Sequence, residues 1–140
     1  MDLKITYYGD DFTGASAVME VLSFAGVPTM LFMNVPDEAM LKDFPDIQAF
    51  GVAGVARSKD PAWMQANLPS VFAGLHQFNA PILHYKTCST FDSAPHIGSI
   101  GQASELGHAV RKSEWIPLVV GAPEMGRYQA FGNLFATADG

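Results

Sequence analysis

The sequence predicts an α/β domain: a three-layer sandwich with a mostly parallel sheet and helices on both faces. Three observations carry this. Short, β-rich apolar runs alternate with stretches of helical apolar spacing, polar or glycine-containing loops separate them, and no fixed-period repeat or linker interrupts the rhythm. Segments in that order join most simply as parallel βαβ units with right-handed crossovers.

Leu3 to Tyr8 reads as the first strand. From Gly14 to Ala25, residues Ala15, Val18, Met19, Leu22 and Ala25 fall on one helical face, and Gly26 supplies the stop. Pro28 to Phe32 is a second strand, Pro36 to Lys42 a short helix, and Ile47 to Val52 a third strand. Next comes a helix of about Pro61 to Phe78, with Asp60 as N-cap and Pro61 in its first turn, which Pro69 is expected to kink or split. Pro81 to Tyr85 is the fourth strand, about Ile97 to Lys112 a helix, and Ile116 to Val120 the fifth strand. The tail, GAPEMGRYQAFGNLFATADG, holds no helix of useful length, and NLFA looks like a strand. Five strands and an unfinished sixth lead us to expect one domain over residues 1–140, the front part of a longer enzyme.

With 49% apolar and 16% charged residues the composition is that of a globular domain. No apolar run approaches the roughly 20 residues a membrane span requires, and no signal peptide opens the chain, so a cytoplasmic protein is expected. The net charge of -6 argues against a nucleic-acid surface, which needs clustered cations. Cys88 is the sole cysteine, so it has no partner within the chain for a disulfide or a thiolate zinc site and is expected to pack rather than react. The four histidines have no metal-ligand spacing, and no metal site is expected. Neither a G-x-G dinucleotide fingerprint nor a P-loop occurs.

In an open parallel sheet, ligands sit beyond the carboxyl ends of the strands. Four loops there are chemically dense: GDDFTG, ARS, KTCSTFDS and GAPEMGR. They hold Arg57, Lys86 and Arg127, three of the eight Lys and Arg residues, which suits an anionic ligand. Asp11 is placed to cap the helix that follows, yet the Asp10–Asp11 pair is more than a cap needs; adjacent carboxylates repel unless one binds a cation, a hydroxyl or an arginine. Ser89, Thr90, Asp92 and Ser93 crowd hydroxyls and a carboxylate into five residues, as a polyhydroxylated ligand or simply a turn would use them. Gly98 and Gly101 open a helix, where they either expose amides to an anion or allow close packing.

Three motifs in this order and spacing, GDDFTGAS, YKTCSTFDSAPHIGSIG and VVGAPEMGRYQAFGNLFA, resemble the amino-terminal domain of the four-carbon acid sugar kinases over Ile5 to Ala136. The resemblance implies two α/β domains, an amino-terminal one for a sugar acid and a carboxyl-terminal one for ATP, here absent, and phosphorylation of a terminal hydroxyl of threonate, erythronate, 3-oxo-tetronate or a related acid. The family's motif residues fall on Asp10, Asp11, Thr13, Gly14, Arg57, Ser58, Lys86, Ser89, Thr90, Asp92 and Ser93, which implies that Asp10 and Asp11 bind hydroxyls, one or the other of them serving catalysis by orienting or deprotonating the attacking one, and that the rest bind substrate. Arg127, from the loop-cation reading, is expected to join Arg57 and Lys86 on the carboxylate. ATP and Mg2+ would belong mainly to the other domain, so this chain alone is expected to be inactive; a homo-oligomer is compatible with the resemblance. The lead into Arg57, GVAGVARS, lacks the acid and threonine of many relatives, whereas STFDS looks more like the 3-oxo acid branch, with 3-oxo-isoapionate another candidate. Two rival readings stand beside it. An aspartate-nucleophile phosphohydrolase would want D-x-D-x-T, whereas these aspartates are adjacent, and a non-catalytic sugar-acid-binding protein would bind without turnover.

Overall fold

The computed structural model describes residues 2–138. Its strands are β1 (Ile5–Gly9), β2 (Thr29–Phe32), β3 (Ala49–Ala53) and β4 (Ile82–Lys86), followed by β5 (Arg127–Ala130) and β6 (Asn133–Ala136). The helices are α1 (Phe12–Phe24), α2 (Glu38–Leu41), α3 (Pro61–His76) and α4 (Ile100–Val110), with single 3-10 turns at Ala56–Ser58 and Pro123–Met125. Strands β2-β3-β1-β4 form one sheet in that order, every pairing parallel, and β5-β6 form a separate antiparallel hairpin.

Strand alternation assigns the two faces. Tyr8, Phe50 and Val52 pack with Met64, Leu68, Phe72 and Leu75 of α3 and Ala103 and Leu106 of α4. On the opposite face Tyr7 and Ala53 pack against Ala15, Val18 and Leu22 of α1. The expected three layers are therefore present, with β1 and β3 buried on both sides. Full burial of a side chain such as Phe50 or Leu68 contributes ~1.5–3 kcal/mol. α1 lies so close to β1 that a Cβ at Gly9 would sit 2.5 Å from the Cβ of Ala15. That contact fixes where the Asp10–Asp11 turn emerges.

Three expectations differ from the structure. Ile116–Val120 is not a strand: Pro117 has no N–H for a ladder, and the side-chain amide of Gln129 instead accepts from the Val120 amide at 2.8 Å and donates to the Leu118 carbonyl at 2.9 Å. The helix expected from Ile97 begins at Ile100, because the tight Ala94–Ile97 pairing precedes it and Ser99 is the N-cap. Pro69 does not split α3, which runs unbroken from its Asp60 cap to His76 with Leu68 and Phe72 buried on either side of the proline. Packing of that face outweighs one lost backbone hydrogen bond. NLFA is a strand as expected, joined to its partner by Phe131 and Gly132, both at positive φ, the two-residue turn that right-twisted hairpins favour.

Candidate functional site at the carboxyl edge of the sheet

The sheet ladder continues one residue past its strands and places three of the chemically dense loops side by side. Past the end of β1, the Asp10 amide donates to the Lys86 carbonyl at 3.1 Å, and the Asp10 carbonyl accepts from the Arg57 amide at 3.1 Å. Asp10 thus stands between Arg57 and Lys86, on the central strand of the three. Tyr8 steadies this edge: its ring stacks on Tyr85 at 5.8 Å, and its hydroxyl accepts from the Val55 amide at 3.3 Å.

Arg57 joins both aspartates. Its Nη2 lies 3.0 Å from Asp10 Oδ1 and 3.0 Å from Asp11 Oδ1, and its Nε donates to Asp10 Oδ2 at 3.4 Å. One guanidinium therefore relieves the repulsion that adjacent carboxylates impose. The two aspartates differ in exposure, with the Asp10 side chain 4% exposed and that of Asp11 29%. Burial raises the Asp10 pKa above the usual carboxylate range, an effect that the Arg57 hydrogen bond and charge reduce without cancelling. Asp11 is also the N-cap of α1, its Oδ1 accepting from the Gly14 amide at 2.8 Å. The helix cap and the second partner of Arg57 are one residue. Its Oδ2 carries no hydrogen bond to a described residue, and neither does Nη1 of Arg57.

Lys86 ends β4 beside Gly9, and its ammonium donates to the Thr87 carbonyl. A Cβ on Gly14 would lie 3.6 Å from Lys86 Cγ and 2.5 Å from Asp11 Oδ1, so this position leaves little room for a side chain. Thr13 is exposed in the first turn of α1, and Ser58 is exposed with its hydroxyl bonded to the Val55 carbonyl at 3.0 Å. In the next loop Thr90 Oγ1 donates to Asp92 Oδ2 at 2.6 Å, Ser89 is half-buried, and Ser93 Oγ accepts from the Ile100 amide at 3.0 Å, tying the loop to α4. Cys88 is half-buried in the same loop: burial raises its thiol pKa, but hydrogen bonds from Thr90 and the Arg57 and Lys86 charges outweigh that and leave it below the ordinary value. Its placement near two cations was invisible in the sequence, where a lone cysteine carries no spacing signal. Arg127 is not brought to this cluster; it starts β5 and donates to the Met125 and Gly126 carbonyls of its own turn.

Two carboxylates, two cations with donors to spare and a run of hydroxyls can hold a small, hydroxylated anion. The model of the sugar-binding N-terminal domain family matches residues 5–139. The chain belongs to that family. It is the amino-terminal domain of the four-carbon acid sugar kinases that the three motifs resemble. This sugar-binding domain is 50% identical over 138 residues to a 3-oxo-isoapionate kinase of Paraburkholderia graminis, covering 99% of this chain and 29% of that protein. It is 34% identical over 136 residues to a 3-oxo-tetronate kinase of Methylobacterium radiotolerans, covering 96% of this chain and 31% of the relative. A 3-oxo-tetronate kinase of Escherichia coli K12 is 29% identical over 136 residues, 95% and 33% of the two chains. The chain thus spans about a third of the length of these relatives. Among the described residues no helix is long and apolar enough to cross a membrane.

Proposed function

We propose that residues 1–140 are the sugar-acid-binding domain of a longer, cytoplasmic, ATP-dependent kinase that phosphorylates a terminal hydroxyl of a short 3-oxo sugar acid. The observation that carries this reading is the single guanidinium of Arg57 holding Asp10 and Asp11 at the sheet edge beside Lys86. Nη1 of Arg57 and the Lys86 ammonium receive the acid's carboxylate, as planar and point cations do. The free Oδ2 of Asp11 accepts the reacting hydroxyl's proton, and buried Asp10 keeps Arg57 in place. Thr13, Gly14, Ser58 and the 89–93 loop supply hydroxyls and amides for the remaining groups. Arg127, bonded within its own hairpin, is assigned no part in holding the carboxylate.

ATP and Mg2+ belong to the domain outside this sequence in this reading. Residues described here do not themselves fit a nucleotide: the sequence has no phosphate loop, and the paired carboxylates already share the Arg57 charge. Because the relative at 50% identity is named a 3-oxo-isoapionate kinase, that acid is the first substrate to test. The full-length protein, given ATP and separately 3-oxo-isoapionate, 3-oxo-tetronate, threonate and erythronate, is expected to yield a monophosphorylated acid, fastest with a 3-oxo compound. Failure to phosphorylate any of the four, or release of phosphate from an aryl phosphate in their place, would overturn the proposal.

A further inference from the structure

Gly98 was legible only as one of two glycines before a helix. In the fold it is buried, it has φ +59°, and a Cβ built on it would lie 2.4 Å from the carbonyl oxygen of Arg57. Real Cβ atoms do not come that near an oxygen, and the left-handed backbone adds strain for any other residue. The Gly98 amide donates to the Lys59 carbonyl at 2.8 Å, so glycine and arginine turn are joined by contact and by hydrogen bond.

The rest of the loop explains how Gly98 arrives there. Ala94 and Ile97 exchange backbone hydrogen bonds of 3.1 and 3.3 Å, and Ser93 accepts from the Ile100 amide, which closes the segment onto the start of α4. Opposite, the Arg57 amide donates to the Asp10 carbonyl. The Arg57 turn is therefore clasped between the end of β1 and Gly98.

We infer that Gly98 is a positioning residue for sugar-acid recognition: its missing side chain lets the hydroxyl-rich loop seat against the Arg57 backbone and sets the reach of the guanidinium toward Asp10, Asp11 and the acid. This rests on the carboxylate role proposed for Arg57. A displacement of about 1 Å in a positioned group can cost on the order of 10²-fold in rate.

The test uses the full-length protein with the best acid of the panel and that acid's uncharged methyl ester. In Gly98→Ala the KM for the acid is expected to rise on the order of 10–100-fold, the KM for ATP to stay within about twofold, and the preference for acid over ester to collapse. Arg57→Gln should lose the same preference. Gly107→Ala, whose added Cβ makes only ordinary contact with Phe72 at 3.8 Å, is the control, placed on the helix that follows Gly98. If Arg57→Gln loses the preference and Gly98→Ala keeps it, the positioning role is wrong and the carboxylate site stands. If Arg57→Gln keeps it, both fail together. Should Gly98→Ala not fold, hydrogen exchange on the unaltered protein decides: the Arg57 and Gly98 amides should gain protection together on saturation with the acid. Protection of Arg57 alone overturns the inference.

Discussion

Asp10 and Asp11 are neighbours in sequence with different environments, and the division of work proposed for them rests on that difference. The folded-state pKa of Asp10 lies above its unfolded value, so between about pH 4 and that raised value the native state holds more protons than the unfolded chain. Stability from this residue therefore falls as pH rises through that window. Asp10→Asn should flatten that dependence, read as urea midpoints across pH, and an unchanged slope would contradict the burial argument. Asp11→Asn keeps a good N-cap while removing the charge. In the full-length enzyme it is expected to lower kcat on the order of 10²-fold and leave the thermal midpoint nearly unchanged. Asp11→Ala should additionally cost about 1 kcal/mol of stability through the lost cap. At this scale the sequence announced the acids, because two charges after an apolar run are unusual. It did not announce that Arg57, 47 positions beyond Asp10, pairs with both Asp10 and Asp11, since that pairing depends on strand order.

Elements place these residues through close approach and burial. α1 meets β1 across Gly9, so Gly9→Ala must push the helix away; overpacking of this kind costs about 1–3 kcal/mol, and it should weaken acid binding by shifting Asp11. His84 on β4 is held below its ordinary pKa by burial first and by Lys86 second. The unfolded chain then binds more protons as pH drops below about 6.5, so His84 removes stability as pH falls through and below that value. His84→Gln should resist mild acid better than the unaltered protein, a prediction checked by thermal melts between pH 7 and 5; equal sensitivity would contradict it. Five strands, β6 among them, and four helices were legible from periodicity, caps and glycines, with Asp60 and Pro61 opening α3 as expected. The Ile116–Val120 strand was not real because an apolar β-rich run reports burial tendency, while Pro117 and the Gln129 amide decide pairing. Pro69 did not split α3, since a packed helix face absorbs one missing hydrogen bond.

Across the whole molecule, parallel order β2-β3-β1-β4 puts the ends of β3, β1 and β4 together and so assembles Arg57, Asp10 and Lys86 from three distant segments. Of the three cations grouped in the sequence, Arg57 and Lys86 flank Asp10 at adjacent strand ends, while Arg127 lies in a separate hairpin that strand counting did not resolve. Family membership extends over nearly the entire chain, and the relatives named as kinases are about three times as long, which makes the full-length protein the proper object of any activity test. Calorimetric titration of that protein with its preferred sugar acid, unaltered and as Arg57→Gln, tests the central claim most directly. Loss of a charge-assisted hydrogen bond, worth about 1.5–3 kcal/mol, predicts binding weaker on the order of 10–100-fold; affinity unchanged in the variant would contradict the assignment of this cluster as the sugar-acid site.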